Sequence, residues 1–439
     1  MPDLSLVSGP VPIIVLATGL TALVWLAVRR RRSWWSRAIP LSVVAGLATA
    51  AVAALVVDVL WRPFPDPLPR VALLWTGLTA TALALAVART RVAPRPPGIA
   101  RRVLPFGAVV LVLVTGLAQV NQLYYAYPTL GSALGLAPAQ QVPFADVTPR
   151  EPQVVTAPPG RPLADGWTAP AGMATRGAVS EVSVPGTVSG FGARPAWVYF
   201  PPAYLGSPRP VLPVLVLVAG QPGAPRDWLD GGRLVATMDA FAAAHSGLAP
   251  VVVVPDPTGS QLGQTLCVDS KNGQAFSYLT VDVPAWIRST LQVDPDPAHW
   301  TIGGVSAGGT CALQLAVNAP TVYPTFLDLS GPEAPSVGSV QQTVADFFGG
   351  DLAAYRRVNP LDVLASGRLP AGTIAGAVAA GVGDARYGPD ARRVRDALLA
   401  AGMDTRYLEL PGGHSWQVWA EALRQLLPFV ATRGGLVAG

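Results

Sequence analysis

The sequence predicts an α/β fold, a mostly parallel sheet with helices on both faces, set behind four membrane-spanning helices. Three observations carry this prediction. The 439 residues are 51 % hydrophobic, with a mean hydropathy of +0.40, which is apolar for an enzyme in water. The apolar excess is concentrated in the first quarter of the chain, as four runs near the ~20 residues that cross a hydrocarbon core as a helix. Beyond them, short β-type runs alternate with helical patterns, the signature of a parallel α/β sheet.

The apolar runs are Val11 to Val28, Ile39 to Trp61, Val71 to Ala88 and Val103 to Leu123. One such run could be a buried helix of a soluble domain; four in succession with charged punctuation read as spans. Arginine placement orients them. The first loop holds Arg29, Arg30, Arg31, Arg32 and Arg37, and the third holds Arg89, Arg91, Arg95, Arg101 and Arg102. The second has only Arg62 and Arg70, offset by Asp66, and no basic residue precedes Val11. Basic loops stay on the cytoplasmic side, so the N-terminus and everything after Leu123 are expected outside a plasma membrane. Without a basic leader segment or a cleavage site, a removable signal peptide is not expected. Trp34, Trp35, Trp61, Tyr124, Tyr125 and Tyr127 lie at run ends, where amphipathic rings favour the interface. Asp58, within a turn of the end of the second run, reads as an interfacial carboxylate, and the helices read as an anchor (residues 1–124).

Residues 1–124 carry 12 Arg against 3 Asp, whereas residues 125–439 carry 19 basic against 23 acidic groups. The net +5 thus belongs to the membrane loops, and no nucleic-acid partner is implied. Residues 125–175, rich in Pro, Ala, Gly and Gln without a sustained period, read as a tether.

Residues 176–439 carry eight strand candidates: GAVSEVSVPG, PAWVYFPP, LPVLVLVAG, PVVVVPDP, HWTIGGVS, PTFLDLSG, GTIAGAVAAGVGD and TRYLELPGG. The third to fifth are nearly continuous apolar runs, as central strands buried on both faces require. Helical patterns fall at 234–244, 276–291, 307–319, 391–401 and 416–429. Residues 333–369 are expected to cap the pocket.

Gly304-Val305-Ser306-Ala307-Gly308 is the strongest local motif, a G-x-S-x-G turn between an apolar strand and an Ala/Leu helix. The glycines allow a tight turn, and Ser306 is the candidate nucleophile. A serine hydroxyl needs a base to take its proton. Of three histidines, His414 follows the last strand and precedes the last helix; His245 and His299 read as structural. The acid is expected after the strand before His414, at Asp384, with Asp390 as the alternative. Backbone N–H groups for an oxyanion are expected from Ala307 and from Gly220 or Gln221. No cofactor is implied.

At these residues the chain resembles the esterase D and antigen 85 (mycolyltransferase) branch of the α/β-hydrolases, over about Val179 to Phe429. The resemblance rests on AGQPG, SYLTVDVPAWI, the elbow itself, RRVNPLDVL and GGHSWQVW, with its His-x-Trp-x-x-Trp spacing of His414, Trp416 and Trp419. It implies a cofactor-free serine acyl hydrolase or acyltransferase at the cell surface. Antigen 85 enzymes, in contrast, lack four spans and use a glutamate as acid. The layout is similar to actinobacterial multi-pass membrane esterases, including those that strip amino acids from aminoacyl-phosphatidylglycerol. A lipid or cell-envelope ester is therefore the expected substrate, with mycolyl-type acyl transfer or a non-catalytic binding module as alternatives. Trp416 and Asp269 are the candidate substrate contacts, Asp269 being otherwise a solvated loop carboxylate. Cys267 and Cys311, expected in an oxidising compartment, are read as a disulfide, with two free thiols as the other state.

Overall fold

The structure, a computed structural model, describes residues 3–64, 66–91 and 99–439; Arg95 lies outside the described residues, and only the backbone of Arg101 is described. The chain forms two compact units, Met1–Leu136 and Ala137–Gly439.

Among the described residues the first unit has four helices long and apolar enough to cross a membrane: α1 (Pro10–Ala27), α2 (Trp34–Trp61), α3 (Arg70–Arg91) and α4 (Ile99–Tyr124). α2 packs on α3, α3 on α4, and α1 on α4. Small residues make these contacts close, as they do where lipid supplies no hydrophobic drive for association. A Cβ on Gly46 would lie 2.5 Å from the Gly77 carbonyl, and one on Gly19 2.1 Å from Thr115 Oγ1. Thr115 Oγ1 donates across to Val15 O at 3.0 Å. Leucines such as Leu41, Leu47 and Leu60 face outward, about 70 % exposed. Arg89 closes the α1 C-terminus by donating to the carbonyls of Trp25, Leu26 and Val28, its guanidinium over the Trp25 and Trp34 rings. Asp58 accepts from Leu68 N at 2.9 Å, so it caps the turn after α2.

The second unit is built on an eight-stranded sheet. Its strands are β1 (Ala178–Val182), β2 (Ala196–Phe200), β3 (Val214–Val218), β4 (Val251–Val254), β5 (Thr301–Val305), β6 (Thr325–Leu329), β7 (Ala375–Gly381) and β8 (Asp404–Leu410). Seven fall inside the runs named above, and β8 begins one residue before its run. The order is β8-β7-β6-β5-β3-β4-β2-β1, parallel except where β2 meets β1 and β4. β3, β4 and β5 are buried throughout, because their β-branched and glycine residues fit a sheet covered on both faces.

Helices α5 (Leu234–Ala244), α6 (Val283–Thr290, preceded by a π-turn at Tyr278–Asp282), α7 (Ala307–Asn318), α11 (Gly388–Ala400) and α12 (Trp416–Arg433) cover the sheet. Three further helices, α8 (Val340–Phe348), α9 (Leu352–Val358) and α10 (Pro360–Ala365), form the β6–β7 connection, and α10 packs on α7 and α11.

The tether expected at 125–175 requires correction: from Ala137 onward it belongs to the second unit. Val142 N donates to Val179 O and Val179 N to Gln140 O, so this segment lines the outer edge of β1. Val154–Val155 pairs with Arg209–Pro210. Glu151 N donates to Gln292 Oε1 at 2.8 Å, Gln292 Nε2 donates back to Glu151 O at 2.9 Å, and buried Trp167 donates to Ser246 O. Proline and glycine remove local periodicity, but distant side chains still satisfy the backbone.

Candidate active site

The site is assembled at the C-terminal ends of β3, β5, β7 and β8. β5 ends at Val305, and Ser306 turns the chain into α7 with φ 53° and ψ −127°. This is a conformation that side chains rarely adopt and that functional turns retain. The flanking glycines are required by contact: a Cβ on Gly304 would lie 2.1 Å from Gly308 O. Ser306 N donates to Leu329 O at 2.8 Å, tying the elbow to β6.

His414 presents Nε2 2.9 Å from Ser306 Oγ and Nδ1 2.8 Å from Asp384 Oδ2. The loops carrying Asp384 and His414 are joined through backbone: Val382 N donates to Leu410 O and Gly383 N to Gly412 O. A Cβ on Gly381 would lie 2.5 Å from Gly412 O, so only bare backbone lets the two loops close. Asp384 is buried, which pushes its carboxyl up. Hydrogen bonds and charge from His414, with the N–H groups of Tyr387 and Arg386, outweigh burial and hold it below the usual carboxylate range. The His414 ring is flanked by Tyr387 at 4.7 Å and by Trp419, edge-on at 4.8 Å. Gly220, after β3, abuts Ser306: a Cβ there would lie 3.3 Å from Ser306 Cβ. The Gly220–Gln221 turn and the α7 N-terminus at Ala307 thus flank Ser306, as an oxyanion site requires.

Residues 192–430 match the family model of the Esterase family. The chain belongs to the Esterase family. It is 39 % identical over 438 residues to an uncharacterized protein of Corynebacterium glutamicum, covering 97 % of this chain and 96 % of that protein. Among solved structures it is similar to a ferulic acid esterase (TM-score 0.50, 20 % identity, 59 % of this chain and 98 % of that one). It is also similar to an S-formylglutathione hydrolase from Agrobacterium tumefaciens (TM-score 0.49, 20 % identity, 59 % and 96 %). A further similar structure is MPT51 of Mycobacterium tuberculosis (TM-score 0.42, 18 % identity, 58 % and 97 %). The fold is that of the α/β-hydrolases.

The other expected site residues of the esterase divide. Cys267 and Cys311 form a disulfide with Cα atoms 5.6 Å apart, linking the loop after β4 to α7. Asp390 accepts from Glu333 N at 3.2 Å and pairs with Arg393, whereas His414 Nδ1 is bonded to Asp384. His245 stacks on Phe241, and His299 pairs with Asp294 at 2.7 Å. Trp416, expected against substrate, is instead buried between Trp228 and Trp419, edge-on to both at 5.2 Å, with Gly231 beneath it. Trp419 is the tryptophan that meets the His414 ring. Asp269 is an exposed loop carboxylate that accepts from Ser277 N at 3.0 Å and from Ser277 Oγ at 2.5 Å. Sequence reasoning passed over Tyr387, which lies three residues past the acid.

Proposed function

We propose that the protein is an extracytoplasmic, membrane-anchored serine esterase that cleaves a lipid or cell-envelope ester through a covalent acyl-enzyme. The observation that carries this reading is the unbroken path from Ser306 Oγ through both nitrogens of His414 to Asp384. In the first step His414 Nε2 takes the Ser306 proton as Oγ attacks the ester carbonyl. Negative charge develops on the carbonyl oxygen, where the N–H groups of Ala307 and of the Gly220–Gln221 turn receive it. The same proton then goes to the departing alcohol, leaving an ester on Ser306. Water, deprotonated by His414, repeats the sequence and frees the acid. Asp384 fixes the ring tautomer and stabilises the imidazolium throughout. The lipid or envelope substrate, an aminoacyl-phosphatidylglycerol being one of that class, is favoured by four apolar helices on the same chain.

Membranes carrying wild type and Ser306→Ala should be treated with a fluorophosphonate and assayed with p-nitrophenyl and aminoacyl-lipid esters. Labelling and turnover lost together in the variant are expected; a folded wild type that does not label would end the reading. The orientation is tested by alkaline phosphatase fused after Gly439, expected to be active; an inactive fusion in intact, expressed protein would reverse it.

A further inference from the structure

We propose that Arg194 is a positioning residue for the oxyanion turn, clamping Gly220–Gly223 to the loop after β4 so that the turn's N–H faces the developing charge. The proposal rests on the esterase reading above and deepens it.

Arg194 precedes β2, and Asp256 follows β4. Asp256 is fully buried and receives Arg194 three times: N at 2.8 Å and Nε at 3.0 Å on Oδ2, Nη2 at 2.7 Å on Oδ1. Thr258 N, Gly259 N and Thr258 Oγ1 also donate to it, at 3.1, 3.0 and 3.2 Å. The guanidinium is therefore fixed as a rigid fork. From that position Nη2 donates to Gly223 O at 2.8 Å and Nη1 to Gln261 Oε1 at 3.3 Å. The same loop holds the turn twice more, by Gly223 N to Gln261 O at 3.3 Å and Gln221 Nε2 to Leu262 O at 3.2 Å. The turn is tight, since a Cβ on Gly223 would lie 2.5 Å from Gly220 O, so displacement at Gly223 is passed to Gly220 and Gln221. Gly220 in turn abuts Ser306.

An ordinary stabilising ion pair is the competing account. Burying such a pair adds little net stability, because desolvation offsets the attraction. Stability alone therefore gives little reason to bury it here. The carbonyl of Gly223, the one partner on the turn, makes sense of a guanidinium where an apolar side chain would pack.

The test compares wild type with Arg194→Met and Arg194→Lys. Because Asp256 left alone could unfold the chain, Arg194→Met/Asp256→Asn, which removes both charges, is measured alongside. In folded variants kcat should fall about 10- to 100-fold with KM within about threefold. The pH midpoint of kcat/KM should be unchanged, because the Ser306–His414–Asp384 path is untouched, and Arg194→Lys should recover part of the loss. Amide exchange in a peptide spanning 220–223 should quicken at least tenfold, a readout that needs no substrate. Wild-type exchange in that peptide, or wild-type kcat in either folded Met variant, would overturn the clamp. The esterase reading stands or falls separately, on wild-type labelling at Ser306.

Discussion

A Cβ on Gly308 would stand 2.5 Å from the carbonyl oxygen of Ala219 and 2.6 Å from that of Val218. Backbone on both sides leaves no flexible group to yield, so the second glycine of the elbow fixes the distance between α7 and β3. Gly308→Ala is expected to cost about 1–3 kcal/mol through overpacking and to reduce turnover by displacing Ser306 from the Gly220 turn. Thermal melting and kcat of the variant check this, and a variant matching wild type in both would contradict it.

Asp328 on β6 is fully buried under the first turn of α7. One oxygen accepts from Gly331 N at 2.8 Å, and the other has no hydrogen-bond partner. Burial pushes its carboxyl up to about 7, against the Gly331 hydrogen bond and with help from the charge of Asp390. Between the ordinary carboxylate value, about 4, and 7 the folded state therefore holds a proton that the unfolded state has released. Stability should fall as pH rises through that window and level off above it. Asp328→Asn, which carries no charge, should lack this decline, so its melting temperature should gain on wild type from pH 4.5 to 8. Parallel curves for the two proteins would show that Asp328 does not titrate there.

The Cys267–Cys311 bond spans 44 residues and ends on the helix that carries Ser306. In the chain-entropy account a loop of this length contributes about 4 kcal/mol. The double variant Cys267→Ser/Cys311→Ser should therefore unfold at lower urea, as should wild type with reductant. Gln314 Nε2, donating to Cys267 O at 3.0 Å, keeps one link between loop and helix. Superimposable unfolding curves would remove the bond from any stabilising role.

The strands, the four long apolar helices and the elbow were legible for a common reason. Their signals are continuous and local: VLVLV and VVVV allow nothing but a buried strand, and Gly-x-Ser-x-Gly states its own steric requirement. Ser306, His414 and Asp384 could be ordered because each ends or follows a recognisable strand. What escaped depends on distant partners. The seat of residues 137–175 is supplied by Gln292, Ser246 and Gly435, far along the chain. Arg194 looks like any arginine in a glycine-rich stretch until Asp256, 62 residues on, is placed beside it. Which of Trp416 and Trp419 meets His414 turns on the direction of α12 relative to the base, which spacing does not encode. Helices α8 to α10 are short, although Ser339, whose hydroxyl accepts from Gln342 N, and Gly349 in the left-handed region mark the ends of α8.

The strip from Gln140 to Val142 has a practical meaning for anyone wishing to work with the catalytic unit alone. β1 ends the sheet, and that strip is what hydrogen-bonds along its outer side. A recombinant fragment begun at residue 176 would leave an unprotected edge strand, an invitation to pair with a neighbouring molecule. One begun at Ala137 carries its own edge cover and is the better choice of boundary.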